Sequence, residues 1–153
     1  MISIDVFSEE KAWSKKLRKK EFFFKKVCNS LPKKYKFPKK KVSLTLMLSN
    51  NKNIKKLNKK FRNKNKSTDI LSFPFDKKKK ISNKIYLGDM IISYEYMNIS
   101  KSQSLKIFKK KLTKTFIHGF LHLLGHDHIR NNDYKKMLKE EKLLFESVIS
   151  KID

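Results

Sequence analysis

The segment IHGFLHLLGHDHIR, residues 117–130, limits the possible folds of this chain more than any other, because all four of its histidines fall within eleven positions of it. His118 and His122 are four apart, so a helix here puts both imidazoles on one face, where they can converge on a single ion. An unbroken helix would add His126 to that face. Gly125 argues against this, since glycine readily takes the left-handed conformation that ends helices. The chain is then expected to turn and bring His128 back toward the first two, leaving His126 to face substrate or to support the ligands from behind. A helix end and the turn after it should therefore form the centre of any site.

The spacing H-x3-H-x2-G-x2-H is also the one by which zinc hydrolases of the metzincin type gather three imidazoles on one ion, with a glycine turn between the second and third. Three imidazoles without a fourth protein ligand leave an open coordination position, which suits catalysis better than a purely structural role. The ligand type points first to zinc, one ion per chain, and also admits nickel, copper or iron. The residue after His118 separates two chemistries. Zinc peptidases carry Glu there as general base, and this chain carries Gly119. Peptide hydrolysis by that route is disfavoured, and Gly119 is expected to leave room for a bulky substrate beside a tri-histidine zinc, whose bound water can reach a pKa of about 7 without a carboxylate.

With 153 residues the chain has the size of one domain, read here as 1–153. Its 39 Lys and Arg against 14 Asp and Glu give a formal net charge of +25, an attraction to polyanions such as RNA or to acidic membrane surfaces. The same composition is what a genome rich in A and T produces, since only Arg18, Arg62 and Arg130 are arginines. The single cysteine, Cys28, follows Phe22, Phe23 and Phe24 and is expected to be a buried, inert thiol. No stretch approaches the roughly 18 apolar residues of a membrane span, and the first ten residues lack the basic-then-apolar pattern of a signal peptide. A soluble protein in the reducing cytoplasm is expected.

Periodicity predicts a strand over 2–7 and a helix from Ser8, as N-cap, to about Asn29, burying Trp13, Leu17, Phe24 and Cys28. A proline-bearing loop leads to a strand over 42–50, a helix from Asn51 with Ile54, Leu57 and Phe61 on its apolar face, a polar turn at RNKNKS, and a strand over 69–75 whose Pro74 suggests an edge. The lysine run 77–80 reads as a solvated connection, and 84–93 as a strand interrupted by Gly88. A helix over about 103–124 carries Leu105, Phe108, Leu112 and Phe116 on one face. A last helix from Asn131 is apolar at Tyr134, Leu138, Leu144, Phe145 and Val148. The fold class is α+β, an α/β sandwich with a small mixed sheet of about four strands and four to five helices.

The segment HGFLHLLGHDH resembles the signature H-G-x-L-H-L-x-G-x-D-H of the YbeY family of bacterial rRNA maturation factors. LNKKFRNKNKSTDILSFPF, residues 57–75, is similar to the family block L-N-x-x-[YF]-R…P-T-D-V-L-S-F-P, and LGDMIIS, residues 87–93, to its L-G-D-I-x-I strand. Met137 and Glu141 fit its M-x-x-x-E pattern, so the likeness runs from 57 to 141 in consistent order. It implies a zinc-dependent, single-strand-specific endoribonuclease that acts in rRNA processing, late in maturation of the small-subunit rRNA 3′ end, and in ribosome quality control. Its partners would be single-stranded rRNA and the small ribosomal subunit or its assembly proteins, with neither DNA nor membrane. His118, His122 and His128 match the zinc ligands, and Arg62 matches a functional arginine that could hold the scissile phosphate and offset charge during cleavage. Asp127 could orient an imidazole or brace the turn. Thr68 and Ser72 could donate within the cleft, and Asp69 and Asp89 are expected to fix local backbone. Ser67 replaces the usual proline, which should loosen the loop after Arg62, and His126 replaces a tyrosine. A non-catalytic ribosome assembly factor with a structural metal is the alternative.

Overall fold

Alternation of apolar and polar residues builds the sheet. In the computed structural model, which describes residues 2–75, 84–127 and 130–152, four strands are β1 (Ile2–Ser8), β2 (Lys41–Ser49), β3 (Ile70–Pro74) and β4 (Lys84–Ser93). Their order across the sheet is β1-β2-β4-β3, with β1, β2 and β4 parallel and β3 antiparallel on the edge. Pro74 ends that edge strand, where a missing N–H interrupts no central ladder. Gly88 sits where the register of β4 slips against Ser43 and Thr45, and a Cβ there would lie 2.3 Å from the Phe73 carbonyl oxygen. The close approach of β3 requires glycine at that point.

Six α-helices flank the sheet among the described residues: α1 (Ala12–Lys16), α2 (Lys20–Asn29), α3 (Asn51–Arg62), α4 (Tyr94–Met97), α5 (Leu105–Leu123) and α6 (Asn131–Ile152). One face of the sheet offers Ile4, Val6, Leu44, Leu46, Leu48, Met90 and Ile92 to Phe24 and Val27 of α2 and to Phe108, Leu112, Phe116 and Phe120 of α5. Met137, Leu144 and Val148 of α6 close this core. On the other face α3 lays Ile54 and Leu57 against Leu71, Ile91 and Phe73. The α+β class and the mixed four-stranded sheet are those expected, with six helices among the described residues where four to five were expected. No helix among the described residues is long and apolar enough to cross a membrane.

The differences from expectation have local causes. β1 continues to Ser8 and Glu9 still donates to Leu48 across the sheet, so the first helix begins at Ala12 instead of Ser8. The single helix expected to reach Asn29 breaks at Leu17, whose backbone is extended. The break lies in KKLRKK, residues 15–20, where like charges at helical spacing repel. Trp13, Leu17, Phe24 and Cys28 are nonetheless all buried. Leu105 and Tyr134, in the first turns of α5 and α6, are 45% and 50% exposed, and Leu138 is 46% exposed because the buried line of α6 runs through Met137, Leu144 and Val148. The 77–80 connection and His128 lie outside the described residues.

Candidate active site

Helix α5 ends as Gly125 predicts. Its φ is +98°, the His126 N–H donates to Leu121 O and the Gly125 N–H to His122 O, both at 3.0 Å. These paired bonds are the Schellman arrangement, which satisfies the last carbonyls of the helix.

One turn before this cap, His118 and His122 stand on the same face with ring centroids 4.7 Å apart and planes at 77°. Their Nε2 atoms face each other at 3.1 Å. Each Nδ1 has a partner of its own. That of His122 lies 3.0 Å from the His126 carbonyl oxygen, and that of His118 is held by the Glu141 carboxylate on α6. A carbonyl and a carboxylate both require an N–H, so each Nδ1 carries a proton, and neutral rings held in this way turn an Nε2 lone pair toward the same point. Two lone pairs repel unless a cation lies between them. Nitrogens bound at 2.0–2.1 Å to a tetrahedral zinc stand about 3.3 Å apart, close to the separation seen. The pair therefore fits a divalent metal. Among the described residues no third His, Cys, Asp or Glu joins them, and the expected third ligand, His128, lies outside those residues.

The facing wall comes from the end of α3 and from β3. Arg62 is the last residue of α3, and Asn63 follows in the left-handed conformation at φ +54°. Arg62 Nη2 donates to Ser72 O at 2.9 Å, and the guanidinium lies 5.8 Å over the Phe73 ring. The loop after Arg62 is braced despite Ser67: buried Asn58 donates to Lys66 O at 2.9 Å and the Tyr96 hydroxyl to Ser67 O at 3.2 Å. These walls enclose a cleft of about 690 Å³ lined by Arg62, Lys64, Lys66, Thr68, Asp69, Ser72, His118, His122, Gly125, His126 and Asp127, among others. The histidine face and Arg62, 56 positions apart in the chain, thus share one hollow.

Several expected roles shift. Gly119 does not face the cleft. It is buried against the sheet, where a Cβ would meet Ile70 Cδ1 at 2.4 Å, Met90 Sδ at 2.8 Å and Ser72 Oγ at 2.9 Å, so it brings α5 close to β3 instead of making room for substrate. Ser72 and Thr68 line the cleft, but the Ser72 hydroxyl donates to Gly119 O at 3.1 Å and that of Thr68 to Asp69 at 3.2 Å. Asp69 fixes backbone as expected, accepting from the Ile70 N–H at 2.8 Å. Asp89 instead takes the Tyr86 hydroxyl, whose pKa is pushed up to about 12 by burial and then by that carboxylate. Asp127 lines the cleft. The imidazoles of His118 and His122 are oriented by Glu141 and by the main chain of His126, respectively.

Glu141 is the residue whose place in the site was not foreseen. The signal was available in α6: Met137, Leu144 and Val148 are buried at helical spacing, and Glu141 occupies the same stripe. A carboxylate on a buried stripe needs a partner.

A family model described as Endoribonuclease YbeY matches residues 5–149. A protein of that name from Pelagibacter ubique is 59% identical over 152 residues, covering 99% of each chain. Another from Borreliella afzelii is 39% identical over 109 residues, covering 66% of this chain and 70% of its own. A solution structure of a Thermotoga maritima protein superposes with a TM-score of 0.58 at 26% identity, covering 97% of this chain and 90% of that one.

Proposed function

The chain belongs to the YbeY family of endoribonucleases, and from that premise we propose that it is a zinc-dependent, single-strand-specific endoribonuclease of the cytoplasm that acts in rRNA processing. Its substrate would be single-stranded rRNA on the small ribosomal subunit or its assembly intermediates, late in maturation of the 3′ end and in ribosome quality control. The observation that carries the metal-dependent reading is the pair of Nε2 atoms facing each other at 3.1 Å, both rings held at Nδ1, in the cleft that Arg62 also lines.

His118 and His122, with His128 as third ligand, would hold one zinc ion. Zinc when bound supplies a Lewis acid, for polarising a phosphoryl oxygen or lowering the pKa of water. The protein's own groups do the rest. Glu141 and the His126 carbonyl keep the protons on Nδ1, so that His118 and His122 present neutral Nε2 donors. Arg62 uses one N–H on Ser72 O, which fixes the guanidinium, and offers the remaining donors to the scissile phosphate. Lys64 and Lys66 on the same rim add sequence-independent attraction to the backbone. His126 and Asp127 both line the cleft, His126 where a base or sugar would lie and Asp127 where it would brace the turn.

The test is metal analysis of the purified protein together with cleavage of single-stranded RNA by wild type, His122→Ala and Arg62→Ala. About one zinc per chain is expected in the wild type. Removing the Arg62 fork should lower kcat on the order of 10²–10³-fold, as loss of one preorganised transition-state donor does, with metal content unchanged. His122→Ala should lose both metal and activity. Cleavage that survives both His122→Ala and chelation would overturn the proposal.

A further inference from the structure

We infer that a second cleft, at the other end of α5, binds a tract of the same single-stranded RNA outside the cutting site. It measures about 560 Å³ and lies between the α1–α2 corner, the start of α5 and the end of α6. Leu105 and Lys109 line it, whereas His118 and His122 belong to the first cleft. At 1.5 Å per residue, Leu105 and His122 are about 25 Å apart along the helix axis.

The two clefts differ in charge. The first mixes Arg62, Lys64 and Lys66 with Asp69 and Asp127. The second is lined by Lys15, Lys16, Arg18, Lys19, Lys26 and Lys109, and by no acidic residue among those described. Glu21, though on α2, is not part of its lining. Two of the ammonium groups are held over rings, Lys16 Nζ 5.9 Å from the Phe108 centroid and Lys109 Nζ 6.0 Å from that of Phe23. Arg18 is one of only three arginines in a chain that otherwise uses lysine, and it stands at the corner between the two helices.

An anion alone would account for the cations but not for Phe22. This ring lines the cleft and is 64% exposed amid the positive charge. A cationic groove with an exposed aromatic ring is the combination that holds single strands, phosphates on the cations and a base on the ring. An acidic protein surface would leave the ring without a stacking partner, and a membrane surface fits a convex face better than a hollow. The inference rests on the endoribonuclease reading for the identity of the polyanion.

The experiment uses the full chain and two uncapped single-stranded oligoribonucleotides, one short enough to fill only the histidine cleft and one several-fold longer. Arg18→Glu with Lys19→Glu is compared with Lys33→Glu with Lys39→Glu, the same charge change at exposed positions outside both clefts. For the long RNA, the first pair should weaken binding by anisotropy at least tenfold more than the control pair, raise KM and leave kcat unchanged. Its log–log salt slope should be shallower by about 1.4, two phosphate contacts at roughly 0.7 each. Cleavage of the short RNA should be unaffected. Phe22→Ala, a change at an exposed ring, should lose about tenfold in affinity for the long RNA with the salt slope intact. Equal losses in both charge pairs, or no effect of Phe22→Ala, would overturn the inference. So would lost binding to phosphatidylglycerol vesicles or to a poly-glutamate peptide with RNA affinity intact. A wild type that binds the long RNA but cuts neither would count against the nuclease reading while the binding measurements still decide this one.

Discussion

Gly119→Ala tests how the cleft is held together. The added methyl would stand 2.4 Å from Ile70 Cδ1, 2.8 Å from Met90 Sδ and 2.9 Å from Ser72 Oγ. Alanine favours the helix by about 1 kcal/mol over glycine. Overpacking of this kind costs about 1–3 kcal/mol, and displacing Ser72 forfeits its bond to Gly119 O, about 1 kcal/mol more. The net expectation is a loss of about 1–3 kcal/mol, read as a lower urea midpoint with an unchanged m-value. Activity should fall further than the folded fraction explains, because Ser72 O anchors Arg62, and moving β3 away from α5 moves that anchor. For the same reason Gly119→Glu should unfold the site instead of installing a peptidase base. A Gly119→Ala protein as stable as the wild type would refute the close-packing account and return Gly119 to the substrate side.

Glu141→Ala should lower zinc affinity by about 10–100-fold, the usual effect of removing the partner of a ligating imidazole, with Glu141→Gln losing less; competition with a chromophoric chelator measures both, and unchanged affinity in both would show that the Glu141 contact does not tune His118. Asn58→Ala leaves Lys66 O without its donor and should cost about 1–3 kcal/mol, with faster amide exchange at 64–67 and a weaker Arg62 contribution to kcat. Burial pushes the Cys28 thiol from 9.0 up to about 12, so the folded state keeps a proton that the unfolded chain releases. That stability is fully present below pH 9 and is lost as pH rises toward about 12. Cys28→Ala should flatten this part of the stability curve, and native Cys28 should resist thiol reagents at pH 8.

What was legible in the chain was whatever repeats with a short period or ends at a glycine. Val42, Leu44, Leu46 and Leu48 gave β2 its inward face, Ile54 and Leu57 gave α3 its own, and Gly125 marked the end of α5 within one residue. The misread features depend on contacts between segments far apart in sequence. Whether helix 8–29 runs straight is decided by the pairing of β1 with β2 and by repulsion within KKLRKK, and both outweigh the continuous apolar stripe Trp13, Leu17, Phe24 and Cys28. Gly119 looked like open space because a missing side chain reads the same whether the neighbour is solvent or a sheet. Glu141 is 23 positions from His118, and only the packing of α6 on α5 joins them. Arg62 was singled out by the family resemblance and by the scarcity of arginine here, signals of motif and composition and not of geometry.

The histidine segment also changes meaning at His126. Its ring looked like the group to explain, as a spare imidazole or a substrate contact. The structure gives the main chain of His126 two tasks at once: its N–H closes the Schellman turn on Leu121 O, and its carbonyl accepts from His122 Nδ1 at 3.0 Å. Any residue but proline supplies both at this position, so the side chain can vary with the substrate side of the cleft while the orientation of His122 stays fixed. The turn that Gly125 permits therefore does more than end the helix. It folds the carbonyl of His126 back under His122, so that helix termination and imidazole orientation become one structural event, and the second imidazole, His118, is left to be set from outside the turn by Glu141.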